Sequence, residues 1–182
     1  TSNKELIDLV QIVLETYKVR DGNIRLYKEN ILLKGFIKEI IEEMQPIAQK
    51  TNNTLEFIQQ RDIRVYADRI QLKRVIKNLI QNAISYGEPN FPIEVSIGEI
   101  PQYIVIKVKD YGAGISKTDI DKIFNKYYSA AKKFRKIGTG LGLYLALQII
   151  KSHNGELSVE SEEGNFTEFT IKLPAVMNIN LE

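Results

Sequence analysis

The sequence predicts an α+β fold, a two-layer sandwich in which a mixed, mostly antiparallel sheet is covered on one face by three helices. Apolar residues recur at three- and four-residue spacing in three internal segments, and shorter segments between them alternate apolar and polar residues. The 182 residues are 43% apolar and 26% charged, which is typical of a globular domain built on one core. A helical stub is expected before this domain.

An apolar stripe near the start of the chain predicts the stub. Leu6, Leu9 and Val13 have the spacing of an amphipathic helix or a coiled-coil seam. Such a helix is expected to pack on a partner helix that is absent from the chain, and packing on the chain's own core is the alternative. We therefore divide the chain into a stub at 1–22 and a globular domain at 23–182.

Three further helices are predicted from the same kind of spacing. The first covers 33–50, and Pro46 should kink it because a proline inside a helix lacks a donor and crowds the preceding turn. The second begins at Asp68, whose carboxylate can cap the first turn, and it ends near Tyr86. The third covers about 140–152.

The segments between these helices alternate as half-buried strands do. A turn at 98–101 should join the middle pair of strands. A short helix near 117–125 is expected before a polar, basic stretch. Strands are predicted at 54–59, 63–67, 93–97 and 103–109, and on both sides of a turn at 164–165.

Composition excludes several classes of function. Lys and Arg number 25 against 23 for Asp and Glu, so a net charge of +2 provides no field that would attract nucleic acid. The chain has no cysteine and one histidine, His153, which argues against zinc centres and a Ser-His-Asp triad. His153 lies in a turn after a helix and is expected to cap or pack rather than to catalyse.

The sequence has no recognisable signal peptide or membrane span. Its longest nearly apolar stretch, at 141–150, is shorter than the roughly 20 residues that a spanning helix needs. We therefore expect a cytoplasmic domain.

Two asparagines on the second helix form the first candidate site. Asn78 and Asn82 are one turn apart, so their side chains stack at the margin where the helix leaves the core. Amide oxygens in that position can complete the coordination shell of a hard cation such as Mg²⁺. The alternative is a pair of solvated polar residues.

The strand at 103–109 leads into the second candidate site. Asp110 continues the parity of the buried residues, so its carboxylate points inward, where it can accept a hydrogen bond from an exocyclic amino group such as that of adenine. Gly112 and Gly114 allow a ligand to approach the backbone, and Ile115 supplies an apolar wall. The alternative is a capped turn with a satisfied aspartate.

The last strand extends the same candidate site. Thr167 shares one face of that strand with Phe169 and Ile171. It can therefore join Asp110 at the floor of the pocket. The alternative is a threonine that bonds its own backbone.

A glycine-rich segment at 138–143 opens the third helix. Its free backbone N–H groups converge with the positive end of the helix dipole, which is the geometry of a phosphate cradle. The basic segment at 125–137, which contains Lys126, Tyr127 and Lys133, is expected to form a mobile lid over the phosphates. A tight turn and a solvated loop are the alternatives. The candidate phosphate-binding residues are Gly138, Thr139, Gly140, Leu141, Gly142 and Leu143.

These segments occur in one order and together resemble the catalytic ATP-binding domain of sensor histidine kinases, within the superfamily of DNA gyrase, mismatch-repair ATPases and heat-shock chaperones. Residues 74–86 resemble the asparagine box and 110–115 the first glycine box of that family. Residues 124–128 resemble its aromatic box and 138–143 its second glycine box. The resemblance covers about 31–174.

The resemblance implies a reaction and two cofactors. Such a domain binds ATP and Mg²⁺ and transfers the γ-phosphoryl group to a histidine. It implies that Asn82 is the principal magnesium ligand, that Asp110 reads adenine, and that Asn78 and Asn82 act in catalysis. The residues implied in ATP binding are Asn78, Asn82, Tyr86, Asp110, Gly112, Gly114, Ile115, Lys126, Tyr127, Lys133, Gly138, Thr139, Gly140, Leu141, Gly142, Leu143 and Thr167.

The resemblance also implies partners. The acceptor histidine belongs to a two-helix phosphoacceptor and dimerisation domain, and residues 1–22 resemble the end of its second helix. This chain has no histidine there, so it should not phosphorylate itself. The implied parent is a homodimer, either soluble or anchored in the inner membrane, that passes the phosphoryl group to the receiver domain of a response regulator.

The sequence departs from the family pattern at three points. Ser85 replaces a basic residue that often precedes the box tyrosine, Ser129 replaces an arginine, and residues 164–167 replace the family's Gly-x-Gly-Thr. Candidates to replace the lost phosphate contacts are Lys126, Lys132, Lys133 and Arg135.

Two other functions stay open. Gyrase-like and chaperone ATPases hydrolyse ATP with a glutamate as general base, one helical turn before the magnesium asparagine. This chain has Asn78 there, and an amide cannot take the proton, which favours the kinase over a hydrolase and over the related anti-sigma serine kinases. A degenerate nucleotide-binding or interaction module is the third reading, which phosphotransfer by the parent would exclude.

Overall fold

The computed structural model describes residues 24–58, 61–128 and 140–175 of the chain. Over these ranges the chain forms seven strands and three helices, as expected for an α+β sandwich. The predicted stub at 1–22 and most of the predicted lid lie outside the described residues. In chain order, the elements are β1 (Lys28–Leu32), α1 (Leu33–Gln49), β2 (Thr54–Ile58), β3 (Arg64–Asp68), α2 (Arg69–Tyr86), β4 (Pro92–Ile100), β5 (Tyr103–Asp110), α3 (Gly142–Ser152), β6 (Glu156–Glu162) and β7 (Phe166–Pro174).

The main sheet has five strands in the order β2-β4-β5-β7-β6, and β1 pairs with β3 in a separate two-stranded sheet. Among the described pairs, β2 and β4 run parallel because β3 and α2 carry the chain between them. The other pairs are antiparallel. The expectation of a mixed, mostly antiparallel sheet is confirmed, and β5 lies at its centre.

The three helices cover the sheet and bury one face each. α1 packs against β2 and α2, α2 against α3 and β5, and α3 against β6. Within the described ranges, none of the helices is both long enough and apolar enough to cross a membrane. Burial of apolar side chains between these layers is the main stabilising contribution to the fold. The fully buried side chains include Phe36, Ile40, Leu72, Ile76, Leu79, Ile93, Ile106 and Ile149.

Asp68 caps α2, as predicted. Its Oδ1 accepts a hydrogen bond from the N–H of Gln71 at 3.0 Å, and its Oδ2 accepts one from the N–H of Tyr27 at 2.8 Å. The N–H of Asp68 donates to Nε2 of His153 at 2.9 Å, and Nδ1 of His153 donates to the carbonyl of Ile149 at 2.8 Å. Because Nε2 accepts, the imidazole is neutral, and burial lowers its pKa. The capping and packing role expected for His153 is confirmed.

Two segments differ from the prediction because their residues lack a periodic pattern. β1 forms where no strand is predicted, since Ile31 is its one fully buried residue and no alternation results. The prediction of a short helix near 117–125 is wrong, because hydrogen-bonded turns occupy this segment. Ile123 is the buried hydrophobic residue of the segment, and one such residue cannot form an apolar stripe.

The other elements follow the predictions with shifted boundaries. The turn between β4 and β5 is shorter than the expected 98–101 turn and consists of Pro101 and Gln102. Gln102 has φ of 69°, the left-handed conformation that such a tight connection uses. α1 continues as one helix through Pro46, and α3 begins at Gly142 rather than near residue 140.

Candidate functional site

A buried polar pair lies at the end of the two central strands. Asp110 ends β5 and is 3% exposed, and Thr167, 5% exposed, is its direct neighbour on β7. Both belong to the faces that the strand parity predicts to point inward, beside Val108 and Phe169. The sheet register therefore brings together two side chains that are 57 positions apart in sequence.

The carboxylate of Asp110 is only partly satisfied. The backbone N–H of Gly112 donates to it, but Oδ1 is buried and has no hydrogen-bond partner among the described residues. Burial raises the pKa of Asp110 to about 7, and the hydrogen bond from Gly112 offsets only part of that effect. A buried acceptor without a partner costs free energy, which a ligand that donates a hydrogen bond would recover.

The turn after Asp110 is fixed by close backbone packing. Gly112 forms a β-bridge with Gly87 at the end of α2, and the N–H of Ala113 donates to the carbonyl of Tyr86 at 3.2 Å. A β-carbon on Gly112 would overlap the carbonyl oxygen of Tyr86. Gly112 is therefore required by its own backbone neighbours, a packing reason that the sequence alone does not reveal.

The hairpin of β6 and β7 holds the other side of the same turn. Gly114 has φ of 63°, and a β-carbon there would overlap the carbonyl oxygen of Glu162. The N–H of Gly164 donates to the carbonyl of Ala113 at 2.8 Å, and the N–H of Ile115 donates to Oγ of Ser161 at 2.9 Å. The turn is thus bonded to α2 on one side and to the hairpin on the other.

Ser161 is a site residue that the sequence reasoning missed. Its hydroxyl bonds the turn through Ile115 and lies 3.1 Å from Oγ1 of Thr167, its partner in the β6–β7 register. Ser161 pairs with Thr167 because the hairpin turn has three residues, 163–165, whereas counting outward from the predicted 164–165 turn would place Glu162 opposite Thr167. That signal becomes usable only when the turn geometry is known.

The asparagines of α2 lie where predicted, at the margin of the core. Asn78 and Asn82 are half-buried, as is Tyr86 one turn further on. Oδ1 of Asn78 lies where a β-carbon on Gly142 would be, and Nδ2 of Asn78 is buried without a partner among the described residues. Asn78 therefore presents an unsatisfied donor beside the first residue of α3. Burial also raises the pKa of Tyr86.

Within the described residues, α3 begins without a capping hydrogen bond from its N-cap side chain. Its N-cap residue, Leu141, makes no capping hydrogen bond through its side chain, so the first N–H groups of the helix point outward with the positive end of the dipole. Gly140, which precedes it, has φ of 65°, and its carbonyl accepts a hydrogen bond from the N–H of Tyr127 at 3.0 Å. N–H groups at the start of a helix can donate to an anion, and Gly138 and Thr139 of the predicted cradle lie outside the described residues.

Several predicted site residues fall in other places. Lys126 lies at the edge of this region, with Nζ 5.0 Å from the ring centre of Tyr127, a cation–π distance. Leu143 is partly buried and packs against the core. Lys133, Gly138 and Thr139 lie outside the described residues, as do Ser129, Lys132 and Arg135.

The residues present fit a nucleotide better than a metal ion alone. The described residues contain no group of three or more His, Asp or Glu side chains that could hold a metal. Asn82 offers one amide oxygen, so a cation there would need further oxygens from a ligand, as Mg²⁺ takes from phosphates. The unsatisfied acceptor of Asp110 suits a base, and the open end of α3 with the Asn78 amide suits phosphates.

Comparison with known proteins gives the same answer for the fold and family. A family model described as histidine kinase-, DNA gyrase B-, and HSP90-like ATPase matches residues 67–177. The sensor histidine kinase WalK of Bacillus subtilis (strain 168) is 32% identical over 177 residues, which cover 94% of this chain and 29% of WalK. This chain therefore spans less than a third of that curated relative.

Two solved structures share the fold. Full-length ShkA in complex with AMPPNP superposes with a TM-score of 0.86 at 22% identity, over 96% of this chain and 36% of ShkA. Histidine kinase ThkA in complex with the response regulator protein TrrA superposes with a TM-score of 0.77 at 26% identity, over 96% of this chain and 49% of that chain. With the family model matching more than half of its residues, this chain belongs to the histidine kinase-, DNA gyrase B-, and HSP90-like ATPase family.

Proposed function

We propose that this chain is the catalytic ATP-binding domain of a two-component sensor histidine kinase. It transfers the γ-phosphoryl group of ATP to a histidine on a phosphoacceptor domain that the chain lacks. The observation that carries the proposal is the buried Oδ1 of Asp110, which has no partner among the described residues. It lies on the same side of the fold as the turn between α2 and the β6–β7 hairpin.

Adenine occupies the pocket over Asp110 and Thr167. The exocyclic amino group donates to the unpaired Oδ1 of Asp110. This hydrogen bond takes the place of the one that Oδ1 would make with water if it were not buried. Ile115, which packs against the core, supplies the apolar wall for the base. Gly112 and Gly114 keep the floor rigid, because each is locked against neighbouring backbone.

The phosphates lie at the N-terminus of α3. The open N–H groups after Leu141 and the unpaired Nδ2 of Asn78 are donors toward negative charge. Asn82 would hold Mg²⁺ through its amide oxygen, and the ion would neutralise part of the charge on the triphosphate. Gly138, Thr139 and the lid cations Lys126 and Lys133 complete the phosphate contacts. The phosphates are framed by Tyr86, Gly140, Gly142, Leu143 and Tyr127.

The reaction is transfer to a protein group rather than to water. A hydrolase needs a base to take a proton from water, and the side chain one turn before Asn82 is the amide of Asn78, which cannot act as one. An imidazole acceptor is itself a nucleophile and needs little help from this chain. Catalysis therefore rests on positioning and on donors that stabilise spreading negative charge.

The partners follow from this division of labour. Residues 1–22 are the end of the second helix of the phosphoacceptor and dimerisation domain, and residues 23–182 are the catalytic domain. The parent is a cytoplasmic or membrane-anchored homodimer that passes the phosphoryl group to the receiver domain of a response regulator. The likeness to ThkA, whose structure contains the response regulator TrrA, supports this assignment.

The test is a phosphotransfer assay with γ-labelled ATP, Mg²⁺ and the separately prepared segment of the parent that carries the acceptor histidine. We expect label on that segment, stable in base and labile in acid, and none on this chain alone. Asn82→Ala should abolish the transfer, and Gln81→Ala, an exposed neighbour on α2, should leave it unchanged. Rapid ATP hydrolysis without labelled histidine would refute the kinase assignment.

A further inference from the structure

The hydroxyl of Ser161 sits at the meeting point of three hydrogen bonds. It donates to the carbonyl of Phe166 at 2.6 Å and accepts from the N–H of Ile115 at 2.9 Å. It also lies 3.1 Å from Oγ1 of Thr167, a contact in which either hydroxyl could be the donor. The direction of this third bond decides what Thr167 can offer to a ligand.

A count of protons settles that direction. A serine hydroxyl has one proton and two lone pairs, and a carbonyl can only accept. The proton of Ser161 is committed to Phe166, so the bond to Thr167 must use the proton of Thr167. The N–H of Ile115 takes the other lone pair of Ser161. Thr167 therefore has no proton left to donate, and only its lone pairs can serve a ligand.

The neighbour of Thr167 on β5 also presents a hydrogen-bond acceptor. Asp110 stands directly opposite Thr167, and its buried Oδ1 is an acceptor without a partner among the described residues. The floor of the pocket thus offers acceptors from both strands. A 6-amino group, which has two hydrogens to donate, is favoured there. A 6-oxo group at the same point leaves acceptors facing each other, and only the N1–H of such a purine can donate.

We propose that Ser161 is a positioning residue that sets base specificity, by holding the Thr167 hydroxyl as an acceptor so that the pocket takes a 6-amino purine and rejects a 6-oxo purine. The inference rests on the proposed ATP site and deepens it. Ser161 does not touch the base. It acts through the direction of one hydrogen bond.

The test compares ADP with IDP, which carries a carbonyl oxygen in place of the 6-amino group. Calorimetry at about pH 8, above the pKa of about 7 for Asp110, keeps that carboxylate ionised. In Ser161→Ala the Thr167 hydroxyl is free to turn and donate to the 6-oxo group. We expect the ratio of the IDP to the ADP dissociation constant to fall about tenfold, the value of roughly one hydrogen bond.

Two further variants separate specificity from structure. In a Thr167→Val background, Ser161→Ala should leave the ratio unchanged, because no hydroxyl remains to reorient. Ser158→Ala is the matched control, since Ser158 faces Thr170 in the same β6–β7 ladder and is exposed. Loss of the Ile115 bond alone would weaken ADP and IDP equally and leave the ratio intact.

Each outcome decides the question. The role of Ser161 would be overturned if the ratio in Ser161→Ala stays within twofold of that in the unchanged chain, or if it falls equally in the Thr167→Val background. In either case, ADP binding by the unchanged chain would still support the proposed nucleotide site. Failure of the unchanged chain to bind either nucleotide would instead refute the nucleotide site itself. Unfolding midpoints of every variant verify that folded protein is being titrated.

Discussion

The side-chain oxygen of Asn78 occupies the space that a β-carbon on Gly142 would need. This contact joins the middle of α2 to the first residue of α3, so the proposed metal-binding face of one helix and the proposed phosphate-binding end of the other are positioned by one close approach. A β-carbon at position 142 would displace the end of the Asn78 side chain. The pair is therefore a coupled unit, which mutation can test.

Gly142→Ala should destabilise the fold by about 1–3 kcal/mol and weaken ATP binding, because the added methyl group forces Asn78 to move. Asn78→Ala in the same chain should restore the unfolding midpoint, since it removes the atom that clashes. It should leave ATP binding weak, because the Nδ2 donor is lost as well. Urea unfolding and calorimetry on the two single variants and the double variant measure both effects. Additive losses of stability would contradict the coupling.

Asp110→Asn should stabilise the fold without ligand at neutral and higher pH. The folded pKa of Asp110, about 7, lies above the reference value of 3.8, so the folded state holds this proton more tightly. The stability that the proton contributes is complete below about pH 4 and is lost as the pH rises through about 7. The variant's advantage should therefore grow from pH 4 to 7, to an order of 4 kcal/mol, and then level off. Asp121→Asn, at an exposed position, is the control, and a constant difference across this range would argue against the buried carboxylate.

The affinity for adenosine should rise with pH in the unchanged chain. An amino group donates to an ionised carboxylate more strongly than to a protonated one, and about a tenth of Asp110 is ionised one pH unit below its pKa of about 7. We expect roughly tenfold tighter binding at pH 8 than at pH 6, and a flat profile for Asp110→Asn. Adenosine is the right probe because it carries no titrating phosphate. A parallel rise in the variant would place the titrating group elsewhere.

The contribution of His153 to folding stability should have the opposite pH dependence to that of Asp110. Its folded pKa is lowered by burial, so the unfolded chain binds the proton more tightly and stability is lost as the pH falls below about 6.5. His153→Gln should be less stable by about 1–2 kcal/mol at pH 7.5, for the loss of bonds to Asp68 and Ile149. That deficit should shrink on acidification. Because the chain has one histidine, its imidazole NMR signals can be followed directly, and a normal titration in the folded protein would contradict the assignment.

Asn82→Ala should remove most of the magnesium-dependent part of ATP affinity. Loss of a group that merely orients a metal ligand already costs roughly tenfold in metal affinity, so the loss of a ligand should cost at least as much. Titrations of ATP with and without Mg²⁺ measure this difference. Gln81→Ala, exposed on the same helix, should preserve it. An unchanged magnesium response in Asn82→Ala would exclude this residue as a ligand.

Local periodicity made the main elements predictable. The inward direction of Asp110 and Thr167 follows from strand parity, and the cap of α2 follows from the position of Asp68. β1 could not be predicted in this way, because it is held to β3 by backbone hydrogen bonds and its side chains do not alternate between buried and exposed. Ser161 was also beyond it, since its role depends on a turn and a strand that meet in space through tertiary register. The backbone contacts that require Gly112, and the approach of Asn78 to Gly142, are tertiary too.

The position of β7 has a consequence for the synthesis of the protein. β7 is the last strand of the described chain, yet it lies beside the central strand β5 and completes the floor under Asp110. While a nascent chain ends before Phe166, β5 is an edge strand, and the carboxylate of Asp110 stays hydrated. β7 ends at Pro174, 64 residues after Asp110, so the floor of the pocket can form only when that stretch has left the ribosome. Nucleotide therefore cannot assist the folding of the earlier strands.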